Sequence, residues 1–222
     1  MILRHDIDMS VICALEMARL EQKLGVRSTY FFMLTCEYYN IFNEASRAAL
    51  REIGAMGHEI GLHWDSRFLP QARDVQKAFF QSQMLLLSEA AGVEIVSASQ
   101  HIPIDTPVFD ISPHVKFNAY SHDFNKRFTY VSDSSMVWRD KTPLDLIAAG
   151  VDIQFLAHPL WWVMPGVTQD EKMAAAIKLT QDDLMQQGQA FATYMHGILA
   201  QRRAYDEKYA DIIAARSAGD RS

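Results

Sequence analysis

Two carboxylates stand two residues apart in Arg4-His5-Asp6-Ile7-Asp8, directly after an apolar start. On an extended chain such residues point the same way. Side by side they repel unless a cation or a proton intervenes. One could bind a metal while the other, held nearby, acts as a base. The competing reading is a charged turn between strand and helix. His63 follows the apolar run of Gly57-His58-Glu59-Ile60-Gly61-Leu62-His63, and His101 follows Val96-Ser97-Ala98-Ser99. Both stand where a strand would end. If 57–63 is a strand, His58 and His63 face opposite sides, which places His58 on the far rim in a surface role. His158 ends Phe155-Leu156-Ala157 and precedes Pro159. A histidine there titrates near its working range and can act as acid or base. A core histidine with a satisfied ring is the alternative.

Other residues suit substrate contacts. Asp133, Trp138 and Arg139 fall in a loop after two short apolar segments. Arg139 could grip a carboxylate or phosphate in two-point fashion, and Trp138 could stack on a sugar ring. An ion pair on the surface is the competing reading. Trp161 and Trp162 offer either a stacking platform or core packing.

The elements that must position these residues alternate. Residues 2–7, 28–34, 57–63 and 94–99 read as strands, and about 11–24, 43–54 and 70–91 as helices. This order predicts a parallel sheet with helical crossovers. Residues 102–141 are less regular, with short strands expected near 117–120 and 128–132. A helix near 143–149 leads to a buried strand, Val151-Asp152-Ile153-Gln154-Phe155-Leu156-Ala157. A long helix over about 168–200 and a frayed tail after about 215 complete one domain, residues 1–222. In parallel α/β folds, functional groups gather where strands end, which is where Asp8, His63, His101 and His158 fall.

Composition narrows the function. The chain has 222 residues, 49% hydrophobic and 22% charged, an ordinary globular balance. A net charge of -6 argues against a nucleic-acid surface. No apolar run is long enough to span a bilayer. Two cysteines, Cys13 and Cys36, make neither a disulfide framework nor a metal-binding pair. Arg4, Asp6 and Asp8 leave no room for the apolar core of a signal peptide, so a cytoplasmic location is expected. There is no nucleophile elbow, dinucleotide fingerprint or phosphate-binding loop.

Together, Arg4-His5-Asp6-Ile7-Asp8, residues 28–32, Gly57 to Asp65, Tyr130 to Arg139 and Leu156 to Trp162 resemble the polysaccharide deacetylases. These are metal-dependent enzymes that remove acetyl groups from sugars. The resemblance implies a distorted (β/α) barrel and a divalent metal, with Zn²⁺ expected. It implies Asp6 as general base, Asp8 and His63 as metal ligands, and His158 as the acid that protonates the leaving group. Two departures stand out. Arg67 occupies the position where the family places a second ligand histidine, and the usual Arg-Pro-Pro segment that steers the base is absent. The third ligand is then His101 from the next strand, which is the preferred reading, or Asp65, or the metal is lost. The function expected is removal of an acetyl or similar acyl group from a saccharide or glycan precursor, nucleotide- or lipid-linked, in surface polysaccharide synthesis. A saccharide-binding barrel without catalysis, and a deformylase or cyclic-amide hydrolase on the same site, are the alternatives.

Overall fold

In the computed structural model, which describes residues 1–102, 106–212 and 214, seven parallel strands form one sheet. They are β1 (Ile2–Ile7), β2 (Thr29–Phe32), β3 (Glu59–Asp65), β4 (Ser97–His101), β5 (Phe117–Asn118), β6 (Thr129–Ser132) and β7 (Ile153–Ala157). Their order is β5-β4-β3-β2-β1-β7-β6, and every neighbouring pair is parallel. The crossovers carry α1 (Val11–Lys23), α2 (Glu44–Ala55), α3 (Arg73–Ala91), α4 (His122–Arg127) and α5 (Pro143–Ala148). After β7 come α6 (Pro159–Val163) and α7 (Gln169–Lys208).

The sheet is curled. Neighbouring strands lie about 4.8 Å apart, so β1 and β4 in a flat sheet would be separated by about 14 Å. Yet Arg4 on β1 donates from Nη1 to Ser99 Oγ on β4 at 2.9 Å. The seam opposite is bridged by side chains. Gln154 Nε2 on β7 donates to the carbonyl of Ala119, just past β5, at 3.1 Å, and the Tyr120 and Tyr130 rings lie 6.1 Å apart. Among the described residues no ladder joins β5 to β6. The architecture is thus a distorted, open (β/α) barrel.

Register decides what enters the barrel. Arg4 pairs with Thr29 and Leu156, and Asp6 with Phe31. Phe31 pairs with Gly61, and His63 with Ser99. Paired residues of adjacent strands share a face, so these side chains all point inward. Gly61 is needed there, because a Cβ would lie 2.4 Å from the Phe31 ring. The alternate residues Ile7, Tyr30, Phe32, Ile60 and Leu62 point outward and pack under α1, α2 and α3 with Ala14, Leu50, Ile53 and Phe80. Burial of this layer, at about 25 cal/mol per Å² of apolar surface, is the main force holding helices to sheet.

The outer layer also holds a polar knot. Glu21 on α1 accepts from His5 Nε2 at 2.8 Å, Ser28 Oγ at 2.6 Å and Tyr30 Oη at 2.8 Å. His5 Nδ1 faces the Ala157 carbonyl at 3.0 Å. Both ring nitrogens thus meet oxygen partners.

Sequence boundaries and observed ones differ where they matter. The strand expected over 57–63 begins two residues later, because Gly57 takes a left-handed turn (φ 90°), and it runs on to Asp65. His63 therefore lies inside the strand rather than at its end. His58 is not a surface residue. It is buried, with Nε2 3.2 Å from the Ala18 carbonyl and Nδ1 accepting the Ser28 backbone N–H at 3.3 Å. The last helix runs on to Lys208, past the expected end near 200. The chain divides into two compact units, Met1–Ala176 and Ile177–Ser222. The first contains the whole sheet. In the second, Leu184, Phe191 and Tyr205 on α7 are exposed. The tail expected to fray after about 215 lies outside the described residues.

Candidate metal centre and active site

Strand parity puts Arg4 and Asp6 on the inner face of β1, and Asp8 follows just beyond the strand. Three groups converge at this rim. Asp8 Oδ1 lies 3.2 Å from His63 Nε2 and 3.4 Å from His101 Nδ1, and the two histidine nitrogens are 3.3 Å apart. A tetrahedral zinc with bonds of about 2.0–2.1 Å would separate its ligand atoms by about 3.3–3.4 Å. The three sides of this triangle match that spacing and leave the fourth position open.

The proton arrangement agrees with the spacing. His63 Nδ1 lies 3.1 Å from the Ser99 carbonyl and donates to it, which leaves a lone pair on Nε2 facing the Asp8 carboxylate. Two acceptors at 3.2 Å demand a proton or a cation between them. The electrostatics point the same way. Burial alone would raise the Asp8 pKa, but hydrogen bonds from His101 and His63 hold it far below the carboxylate range. Burial would lower the His63 pKa, and Asp6 and Asp8 raise it on balance. A site that so favours a proton equally favours a metal ion in its place.

The alternative ligand Asp65 is engaged elsewhere. Its buried carboxylate takes the Nε and Nη2 of Arg67 in a two-point ion pair. The arginine at the expected histidine position therefore neutralises Asp65 from the solvent side. His101 sits at the end of β4, paired in register with Asp65, and supplies the third corner.

Asp6 lies beside this triangle. Its Oδ2 accepts from Ser99 Oγ at 3.2 Å and lies 3.7 Å from Arg4 Nη2. Its Oδ1 is buried with no hydrogen-bond partner. Arg4 is 2% exposed and stacks over Tyr120 at 4.5 Å and Tyr130 at 5.8 Å. Burial works against its charge, but Asp6 and the two tyrosines more than reverse that, and its pKa is raised. The sequence assigns Arg4 no role by itself, although Arg4 shares strand parity with Asp6.

His158 follows β7 as the residue capping α6. Its Nδ1 donates to Asp133 Oδ1 at 2.6 Å. Asp133 also accepts the His158 backbone N–H at 3.0 Å and Trp162 Nε1 at 2.7 Å. The opposite nitrogen, Nε2, points to the site, 3.7 Å from Asp8 Oδ2. Burial lowers the His158 pKa; Asp133 and Asp8 raise it, and the balance is upward.

Two expectations about substrate contacts are corrected here, and so is the competing ion pair. Asp133 is 3% exposed with both oxygens occupied, so it orients His158 instead of meeting substrate. Trp138 packs against Val131, Leu146 and Ile153 and lies 5.8 Å from the Phe155 ring, which makes it a packing residue. The ion pair considered between Asp133 and Arg139 does not form; Arg139 is exposed and lines the mouth of a cavity. Trp161 lines that cavity. The cavity, of about 1100 Å³, reaches from Asp6, Asp8, His63, His101 and His158 outward past the hydroxyls of Thr129, Ser132, Ser134 and Ser135.

No protein-family pattern matches the sequence, and no curated protein matches it. Among solved structures, the chain is similar to a family 4 carbohydrate esterase from Bacillus anthracis (14% identity, TM-score 0.45, 84% of this chain and 76% of that one). It is similar to the peptidoglycan deacetylase PdaC from Bacillus subtilis (14%, 0.45, 82% and 83%). It is also similar to a family 4 acetyl xylan esterase from Clostridium thermocellum in complex with a cobalt ion (16%, 0.45, 82% and 83%).

Proposed function

We propose that this barrel is a metal-dependent hydrolase that removes an acyl group from a saccharide. The observation that carries the reading is the Asp8–His63–His101 triangle, with one open position, set between an orphan carboxylate oxygen and a carboxylate-backed histidine. A divalent cation held there, with zinc suited to the two imidazoles and one carboxylate, would polarise the acyl carbonyl and acidify a water.

The remaining chemistry belongs to the chain. Asp6 Oδ1 is free to take the proton of the attacking water, and Arg4 Nη2 stands 3.7 Å from the other carboxylate oxygen. His158 presents Nε2 to the leaving nitrogen or oxygen. Asp133 holds Nδ1–H, fixes the ring and supports the imidazolium that must donate. The cavity exceeds the usual small-molecule range of about 300–1000 Å³, and its hydroxyls and Arg139 suit sugar hydroxyls and an anionic substituent. The substrate class is an acylated saccharide, free or carried on an anionic group.

The test is metal content and acyl release together. Protein purified without chelator and loaded with zinc should hold one ion per chain. His63→Ala and His101→Ala should lose it, and Asp65→Asn should keep it. Acetate release from acetylated amino sugars should follow the metal. Full zinc binding by His101→Ala would refute the ligand set. Zinc binding with saccharide bound but never cleaved would refute catalysis and leave a binding barrel.

A further inference from the structure

A second, smaller space of about 220 Å³ meets the same catalytic groups from the other side. It shares Asp6, Asp8, His158 and Trp161 with the wide cavity. The two otherwise differ in kind. The small space is walled by Ile7, Met9, Cys13, Leu160, Trp161 and Met173. Beyond the reacting groups its polar side chains are Ser10, whose Oγ accepts the Cys13 backbone N–H at 3.2 Å, and Gln169 on α7.

Such a space sorts a substrate into two ends. The hydroxyl-lined cavity takes the saccharide, and Trp161 lines both volumes. What enters the small space must be apolar and joined directly to the carbonyl being attacked. That is the acyl chain. Its size sets the chain length: an apolar cavity of about 150 Å³ admits benzene, a six-carbon body, and one water claims about 30 Å³. An acetyl methyl, close to one water in bulk, would leave most of 220 Å³ to water, and each further methylene would exchange that water for apolar contact.

We propose that this enzyme removes short-chain acyl groups longer than acetyl, of about four to six carbons. Met9, Leu160, Trp161 and Met173 are the residues that select length. The inference rests on the hydrolase reading above. The acyl carbon–nitrogen or carbon–oxygen bond breaks and the water's oxygen bonds to the acyl carbon. One water proton goes to the departing nitrogen or oxygen. The products are a free carboxylic acid and the amino or hydroxyl sugar.

The experiment compares kcat/KM of the zinc-loaded protein on glucosamine N-acylated with two-, three-, four- and six-carbon acids. Each added methylene should raise kcat/KM by roughly three- to tenfold up to about four to six carbons. Filling the space with Met173→Trp or, separately, Met9→Phe should lower the six-carbon to two-carbon ratio by at least about tenfold. A maximum at acetyl, or a ratio unmoved in both variants, overturns the inference while leaving the hydrolase reading intact. Should no acyl sugar be cleaved, that reading fails. Calorimetry with acetate, butyrate and hexanoate then decides the pocket. Affinity rising with length in the parent, and not in Met173→Trp, upholds it; length-independent binding overturns it.

Discussion

Replacing Asp133 by Asn probes the proton relay through a single change of atom type. The two carboxylate oxygens serve three donors: His158 Nδ1 at 2.6 Å, Trp162 Nε1 at 2.7 Å and the His158 backbone N–H at 3.0 Å. An amide has one acceptor and must choose. With its oxygen toward Nδ1, its NH₂ confronts the Trp162 N–H, and two unpaired donors cost about 1–3 kcal/mol. With its oxygen toward Trp162, the NH₂ donates to Nδ1 and drives the ring proton onto Nε2. The second arrangement satisfies more groups and gives the wrong tautomer. It also removes the carboxylate that raises the His158 pKa against the lowering effect of burial. Because the acid must be protonated to act, the alkaline limb of kcat/KM should move to lower pH, and the deficit should widen as pH rises. Loss of the positioned acid is worth about 10²–10⁴-fold. The assay is a pH profile on an acylated amino sugar, with ¹⁵N NMR of the His158 ring reporting which nitrogen carries hydrogen. An alkaline limb that stays in place, with Nδ1 still protonated, would refute the orienting role and reduce Asp133 to a packing partner.

Two further predictions concern stability. Arg4→Met should leave Asp6 buried without its cation and cost about 3–5 kcal/mol, read as a lower urea midpoint; an unchanged midpoint would refute the pairing of Arg4 with Asp6. Glu21 is burdened by burial, but its pKa is lowered on balance by His5, Ser28 and Tyr30. A depressed carboxylate stabilises the fold above the ordinary range of about 4.3 and loses that contribution as pH falls. Melting temperature should therefore fall on acidification in the parent. Glu21→Gln should be less stable at pH 7, and the gap should narrow as pH drops; a gap constant with pH would exclude Glu21 from the effect.

The alternation of strands and helices was legible in the sequence because each strand is a dense apolar run with punctuated ends. Asp6, Asp8, His63, His101 and His158 stand out in the sequence because each interrupts or follows an apolar run. What the sequence obscured was pairing across distance. Asp133 meets His158 from another strand end, 25 positions earlier, and nothing near Asp133 announces a histidine. Arg4 looked like one charge among several until the curl brought Ser99, Tyr120 and Tyr130 around it. His58 looked exposed because its partners, Ala18 and Ser28, lie on α1 and just before β2. Boundaries slipped where a left-handed glycine delayed β3, a feature the residue type permits but does not date.

Both faces of β1 are committed to polar partners: Arg4 and Asp6 inward, His5 to Glu21 and Ala157 outward. Most half-buried strands lose one pattern when they shift by a residue. Here a shift would exchange two incompatible sets at once, carrying Asp6 toward α1 and His5 into the barrel. The opening strand is thus the part of the chain least able to accept an insertion or deletion over evolutionary time. His101, at the tip of β4 beside a loop, has no such double constraint and is the corner of the triangle most free to be redrawn.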